Sequence, residues 1–75
     1  MKSAPEICVS SPPDRERLVA DIFFGKIQWA EINQEGEELA VEIYPRPDGD
    51  PWRLRFTDVV QALDQARNRL LQVSG

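Results

Sequence analysis

The chain has 75 residues, a net charge of −4 and no histidine. This length predicts a single domain over residues 1–75, and the acidic balance argues against a nucleic-acid partner, because phosphate binding needs a basic surface. Without histidine the commonest general base and metal ligand are missing. We therefore expect that the protein is not an enzyme and that it has no catalytic residue, no cofactor and no metal site.

The first residues give no sign of a targeting segment. They lack the apolar stretch of a signal peptide, and the longest apolar run of the chain is too short to cross a bilayer. Cys8 is the single cysteine, so an internal disulfide is impossible. Proteins of a reducing compartment usually lack disulfides. We therefore expect a cytoplasmic protein that does not enter a membrane.

In chain order, residues 1–13 are expected to be a loose segment that can add an edge strand around residues 7–9. Residues 18–24 and 27–33 are rich in β-branched and aromatic side chains and predict two strands joined at Gly25. Residues 39–44 alternate apolar and polar side chains and predict the next strand, after a turn at 34–37. Residues 52–56 predict a last strand, with Trp52, Leu54 and Phe56 facing the core. The β-meander thus spans residues 18–56.

The loop and helix between and after these strands have clear local signals. Asp48-Gly49-Asp50 resembles part of a calcium loop, but its spacing and the flanking prolines favour an ordinary turn. Residues 57–72 predict the helix, with Thr57 as its N-cap. Its apolar stripe comprises Val59, Val60, Leu63, Ala66, Leu70 and Leu71. The expected fold class is α+β: an antiparallel β-meander of about four strands with one C-terminal helix packed on one face.

Strand pairing decides which side chains the helix covers. The turn at 34–37 places Ala30 and Ile32 on the core face, together with the apolar residues of the next strand, Leu39, Val41 and Ile43. A three-residue turn around Gly25 keeps Asp21 off the core face, whereas a two-residue turn would point it inward at a high cost. The uncovered face then carries Trp29, Glu31, Glu42, Tyr44 and Phe23, with Glu35 nearby.

Exposed aromatic residues among carboxylates are typical of a protein-binding surface, since Trp and Tyr are enriched in binding hot spots. The predicted partner-binding residues are Trp29, Tyr44, Glu31, Glu42, Phe23 and Glu35. Three alternatives remain for this face: self-association as a homodimer, coverage by the N-terminal segment around residues 7–9, or a solvated face on which Arg53 and Arg55 lie over the aromatic rings.

The segment IQWAEINQEGEELAVEIYPRPDG, followed by PWRLRF and an amphipathic helix, resembles small bacterial immunity proteins of toxin–immunity loci. The resemblance covers residues 18–71 and carries over no individual functional residue. It implies a cytoplasmic protein that binds and neutralises one cognate toxin, which is expected to be basic. The alternative function is a homo-oligomeric scaffold or regulatory interaction module that uses the open face or an unpaired sheet edge.

Overall fold

The computed structural model describes residues 4–14 and 16–74 of the chain. Within these residues it shows four antiparallel strands in one open sheet and one C-terminal helix, which confirms the expected α+β class. The elements are β1 (Pro5–Ser10), β2 (Val19–Phe24), β3 (Ile27–Asn33), β4 (Ala40–Ile43) and α1 (Phe56–Ser74). The strands lie side by side in chain order, so β1 and β4 form the two edges of the sheet. The loose tail predicted at the start of the chain falls partly on residues 1–3, outside the described residues.

The four strands are not all those that the sequence predicted. β1 confirms the edge strand that was expected around residues 7–9. The prediction of a strand at 52–56 is wrong, because residues 51–55 form an irregular segment that leads into α1. Prolines at 45, 47 and 51 have no N–H to give to a ladder, so the chain leaves the sheet after β4. Trp52 and Leu54 still pack against the core. Phe56, expected to face inward, is 80% exposed at the start of α1.

The turn between β2 and β3 is one residue shorter than predicted. Phe24 pairs with Ile27, so the turn itself contains only Gly25 and Lys26. Gly25 has a φ of 67°, which the first central position of a type II′ turn requires and which glycine adopts at little cost. A two-residue turn alone would point Asp21 toward the core.

A β-bulge at Trp29 prevents that outcome. Ile22 pairs with Ala30, but the next pair along the ladder is Phe23 with Gln28, so Trp29 is an extra residue in β3. One extra residue reverses the parity of the strand beyond it. On the side of the bulge away from the turn, the short turn and the bulge together give the same faces as the predicted three-residue turn.

The helix lies across β1 and β2, to one side of the sheet. Ala62, Ala66 and Leu70 follow one another at four-residue spacing and are fully buried. The small alanine side chains allow the helix to approach the sheet closely. Val60 and Leu71, both predicted to be in the buried stripe, are each 47% exposed because they lie on flanks of α1 that the sheet does not reach.

The helix begins slightly earlier than predicted. The Val59 N–H donates to the Arg55 carbonyl at 3.1 Å, so this bond opens the helical ladder and places the N-cap at Arg55 rather than at Thr57. Asp58 lies in the first turn, where the helix dipole favours a negative charge. In the described part of the chain, no helix has the length and apolar character needed to cross a membrane.

Candidate functional site

The sheet face turned away from α1, hereafter the acidic face, carries three carboxylates in a line. Asp21 lies opposite Glu31, and Glu31 lies opposite Glu42, so one line crosses β2, β3 and β4. These three residues are hereafter the acidic row. Like charges directly opposite in neighbouring strands destabilise a sheet, and a sequence that keeps such a conflict with its fold often does so at a functional site.

Neutral donors hold the two outer carboxylates of the acidic row. The Ser10 hydroxyl donates to Asp21 Oδ2 at 3.4 Å, and the Gln28 amide donates to Asp21 Oδ1 at 3.0 Å. The Asn33 amide donates to Glu42 Oε2 at 3.3 Å. These amides and the hydroxyl orient the carboxylates and add no positive charge.

Access to the negative charge differs along the β3–β4 hairpin. Glu31 is buried, and both Glu31 and Glu42 make further interactions within the chain. Glu42 is nevertheless exposed on β4, as are Glu35, Glu37 and Glu38 in the connection between the strands. The accessible carboxylates therefore concentrate on β4 and on the tip of the hairpin.

Asp21 is not among the predicted partner-binding residues, although it belongs to the acidic row. Pairing parity predicts its position on the uncovered face. What was missing was its alignment with Glu31, which depends on the bulge in β3.

Trp29 does not belong to this surface, and the prediction that it is exposed there is wrong. It is 5% exposed and packs in the core with its ring edge-on to Phe24, at a centroid distance of 5.6 Å. Trp29 is buried because the bulge removes it from the strict alternation that places Glu31 on the acidic face. Truncating Trp29 would therefore open a cavity in the core and would not isolate a binding contact.

The two remaining aromatic residues of the predicted set are half-buried. Phe23 lies opposite Gln28 on the acidic face. Tyr44 follows β4, where its N–H donates to the Trp29 carbonyl at 2.8 Å and its own carbonyl accepts a bond from Trp52 Nε1 at 2.8 Å. Of the six predicted residues, the structure leaves Glu42 and Glu35 exposed, Tyr44 and Phe23 partly accessible, and Glu31 and Trp29 buried.

Charged side chains of the loop between β4 and α1 bind partners within the same loop. Arg46 donates to both oxygens of Asp48, at 3.1 and 2.8 Å, and the Asp50 N–H donates to Asp48 Oδ1 at 3.0 Å. The hydrogen bond from Arg46 lowers the pKa of Asp48 to about 2. Arg46 also lies over the Trp52 ring at 5.4 Å, whereas the solvated-face alternative placed Arg53 and Arg55 over the aromatic rings. This pattern agrees with the ordinary turn expected at 48–50.

A second open surface lies on the helix side of the sheet. The sequence correctly placed Val41 and Ile43 on the same face as Ala30 and Ile32, as their pairing shows. The expectation that the helix covers them is wrong: Val41 is 45% and Ile43 61% exposed, because α1 sits over β1 and β2.

An apolar groove of about 440 Å³ separates β4 from α1. This groove, hereafter the β4 groove, is lined by Ile32, Leu39, Val41, Val60, Leu63 and Arg67, among others. The sequence contains a signal for it. Ala62, Ala66 and Leu70 form one compact stripe on the helix, and Val60 lies outside that stripe, so a helix seated on the alanines turns Val60 away from the centre of the core.

Comparison of the chain with protein-family models, with curated proteins and with solved structures gives no match. Among the described residues, no group of three or more Cys, Asp or Glu side chains is placed to hold a metal ion.

The candidate site consists of two surfaces on opposite faces of β4. One is the acidic row with the hairpin tip, and the other is the β4 groove.

Proposed function

We propose that this protein is a stoichiometric inhibitor, an immunity protein that neutralises one cognate toxin by binding it through the acidic face. The observation that carries the proposal is the acidic row, continued by exposed carboxylates at the tip of the hairpin. The partner that fits this face is a basic protein surface.

The charge distribution suits rapid association. Glu35, Glu37 and Glu38 project at the hairpin tip, and Glu42 lies on the adjoining strand. Clustered charge of one sign attracts an oppositely charged protein and raises the association rate, and this attraction is screened by salt. Binding should therefore weaken as the ionic strength rises.

Contact area next to the carboxylates comes from Tyr44 and Phe23. Both are half-buried, and strand alternation from Glu42 places Tyr44 on the acidic face. Aromatic side chains held by the sheet lose little conformational entropy on binding, which favours slow dissociation. Inhibition then follows from occlusion of the toxin, and no reaction at this surface is needed.

Two experiments test the proposal. The first is co-expression with the product of the gene immediately upstream, in a host that this product kills. We expect the protein to restore growth. A product that is not toxic, or a host that still dies while the protein is expressed and folded, contradicts the assignment as an immunity protein.

The second experiment measures toxin affinity by calorimetry for Glu42→Lys and Asp64→Lys. The two substitutions change the net charge equally, but Glu42 lies on the acidic face and Asp64 on α1, at the β4 groove. We expect Glu42→Lys to weaken binding about tenfold or more and Asp64→Lys to change it less than about threefold. Equal losses would mean that only overall charge matters and would remove the acidic face as the binding site.

A further inference from the structure

We propose that two copies of this protein pair through the outer edges of their β4 strands, so that two four-stranded sheets join into one continuous eight-stranded sheet. This pairing does not depend on the proposed inhibitor function. It is based on the exposure of β4, on the direction of its hydrogen-bonding groups and on the position of its charges.

The two edges of the sheet differ in how they are protected. At β1 the helix packs alongside, and Arg69 Nη1 donates to the Ile7 carbonyl at 2.9 Å. At β4 all four residues are exposed, and the side chains on the groove side, Val41 and Ile43, are apolar. Proteins normally protect an edge strand with a covering element or an inward-pointing charge, and β4 has neither over these side chains.

The outward-pointing backbone groups of β4 follow from one hydrogen bond. The Tyr44 N–H donates to the Trp29 carbonyl, so Tyr44 bonds toward β3. In an antiparallel sheet, alternate residues direct both N–H and C=O to opposite sides of the strand. Glu42 therefore also bonds toward β3, whereas Val41 and Ile43 direct their backbone groups to the open edge.

Only some registers let a second copy meet these groups. Outward-facing residues must lie opposite each other, which a two-fold axis at Val41 achieves: Val41 faces Val41 of the second copy, and Ile43 faces Leu39. The Val41 pair exchanges about two backbone hydrogen bonds, and the two pairs of Ile43 with Leu39, the residue just before β4, add up to about four more. The register also separates the charges, because Glu42 of each copy lies opposite Ala40 of the other.

The competing register is disfavoured by charge. A two-fold axis at Glu42 would also match outward-facing groups, since Val41 would face Ile43. It would, however, place the two Glu42 side chains directly opposite, where like charges destabilise a strand pair. The charge pattern of β4 therefore selects the axis at Val41.

The same register places apolar side chains of both copies side by side on the helix face of the joined sheet. Leu39, Val41 and Ile43 share the groove side of β4, and Val60 and Leu63 of α1 line the opposite wall. Pairing thus removes apolar surface from water on the helix side, while Glu42 of each copy stays on the acidic face. The occupant that fits the open edge of β4 is a second copy of this chain.

Cysteine cross-linking tests the register. Cys8 is exposed, so the variants are made in a Cys8→Ser background. In the Val41-centred pair the two Val41 Cα atoms lie about 5.5 Å apart, within the range of a disulfide, whereas the two Glu42 Cα atoms lie beyond the limit of about 7 Å. Under mild oxidation we expect Val41→Cys to give a covalent dimer and Glu42→Cys to remain a monomer. The opposite pattern, or cross-linking of neither variant, overturns the proposal.

Sedimentation velocity from about 1 μM to about 500 μM tests the association itself. We expect the wild type to dimerise within this range. Val41→Lys should raise the dimer dissociation constant by about 100-fold or more, because two lysines meet across the axis, and Glu42→Lys should change it less than about fivefold. Circular dichroism shows whether each variant is folded. A wild type that stays monomeric throughout, or equal effects of the two lysines in folded protein, overturns the proposal.

Discussion

The two edges of the sheet, β1 and β4, show how far one helix can protect a four-stranded sheet. β1 lies beside α1 and is bonded to it through Arg69, whereas every residue of β4 is exposed. A helix with its side chains is about 10 Å wide, and strands are about 4.8 Å apart, so one helix covers about two strands. A helix placed over β1 and β2 therefore leaves the far edge open on the core face.

The largest effect should come from the side of the sheet that the helix covers. Leu70 is fully buried beneath α1, whereas its neighbour Leu71 is half-exposed. We expect Leu70→Ala to lower the free energy of unfolding by about 2–5 kcal/mol, because it leaves a cavity, and Leu71→Ala to lower it by less than about 1 kcal/mol. Urea unfolding followed by circular dichroism measures both. Equal losses would mean that the helix does not sit over β1 and β2 as described.

An intermediate effect is expected when the protection of β1 is removed. Arg69→Met keeps much of the apolar stem but loses the bond to the Ile7 carbonyl, so the free energy of unfolding should fall by about 1 kcal/mol. The backbone amides of β1 should also exchange with solvent faster. Hydrogen exchange and urea unfolding provide the two measurements.

Arg67→Met is the matched control for that change. Arg67 pairs with Asp64 at 2.7 Å on the exposed surface of α1, an arrangement that contributes about 0.5 kcal/mol or less. If Arg69→Met costs no more than Arg67→Met and leaves exchange in β1 unchanged, Arg69 does not protect that edge.

The smallest effect concerns the loop that carries the chain from the open edge to the helix. Asp48 has a pKa of about 2, below its ordinary value of 3.8, chiefly because Arg46 donates a hydrogen bond to it. Its contribution to stability is therefore present above about pH 4 and is lost as the pH falls through about 2. In Arg46→Met we expect the pKa of Asp48 to return toward 3.8. An NMR titration of the carboxyl carbon measures this, and an unchanged pKa would contradict the assigned cause.

The faces of the hairpin were predictable because side chains alternate strictly along a strand. The alternation of Val41, Glu42 and Ile43 correctly predicted which of them share a face with Ala30 and which with Glu31. The faces of β4 depend only on the parity of its pairing with β3. In the β2–β3 pair, two errors in the prediction, one in the length of the turn and one at the bulge, cancelled each other for the residues beyond the bulge.

Trp29 marks where the prediction failed. A bulge is a one-residue irregularity, and nothing in the composition of β3 distinguishes a bulged tryptophan from a regular one. The predicted burial of Val60 was wrong for another reason. Amphipathic spacing identifies an apolar stripe, but the lateral position of a helix on a sheet depends on tertiary packing, here on Ala62 and Ala66.

The bulge at Trp29 also has a consequence for how this sequence can change over generations. Loss of the extra residue, Trp29, would leave Phe23 opposite Gln28 and Ile22 opposite Ala30 in a regular ladder, so the remaining side chains would keep their faces. Such a deletion is therefore expected to remove one aromatic side chain from the core without turning any other residue of the sheet. In sequences descended from a common ancestor with this one, a third strand that is shorter by one residue should therefore keep the same two-residue turn.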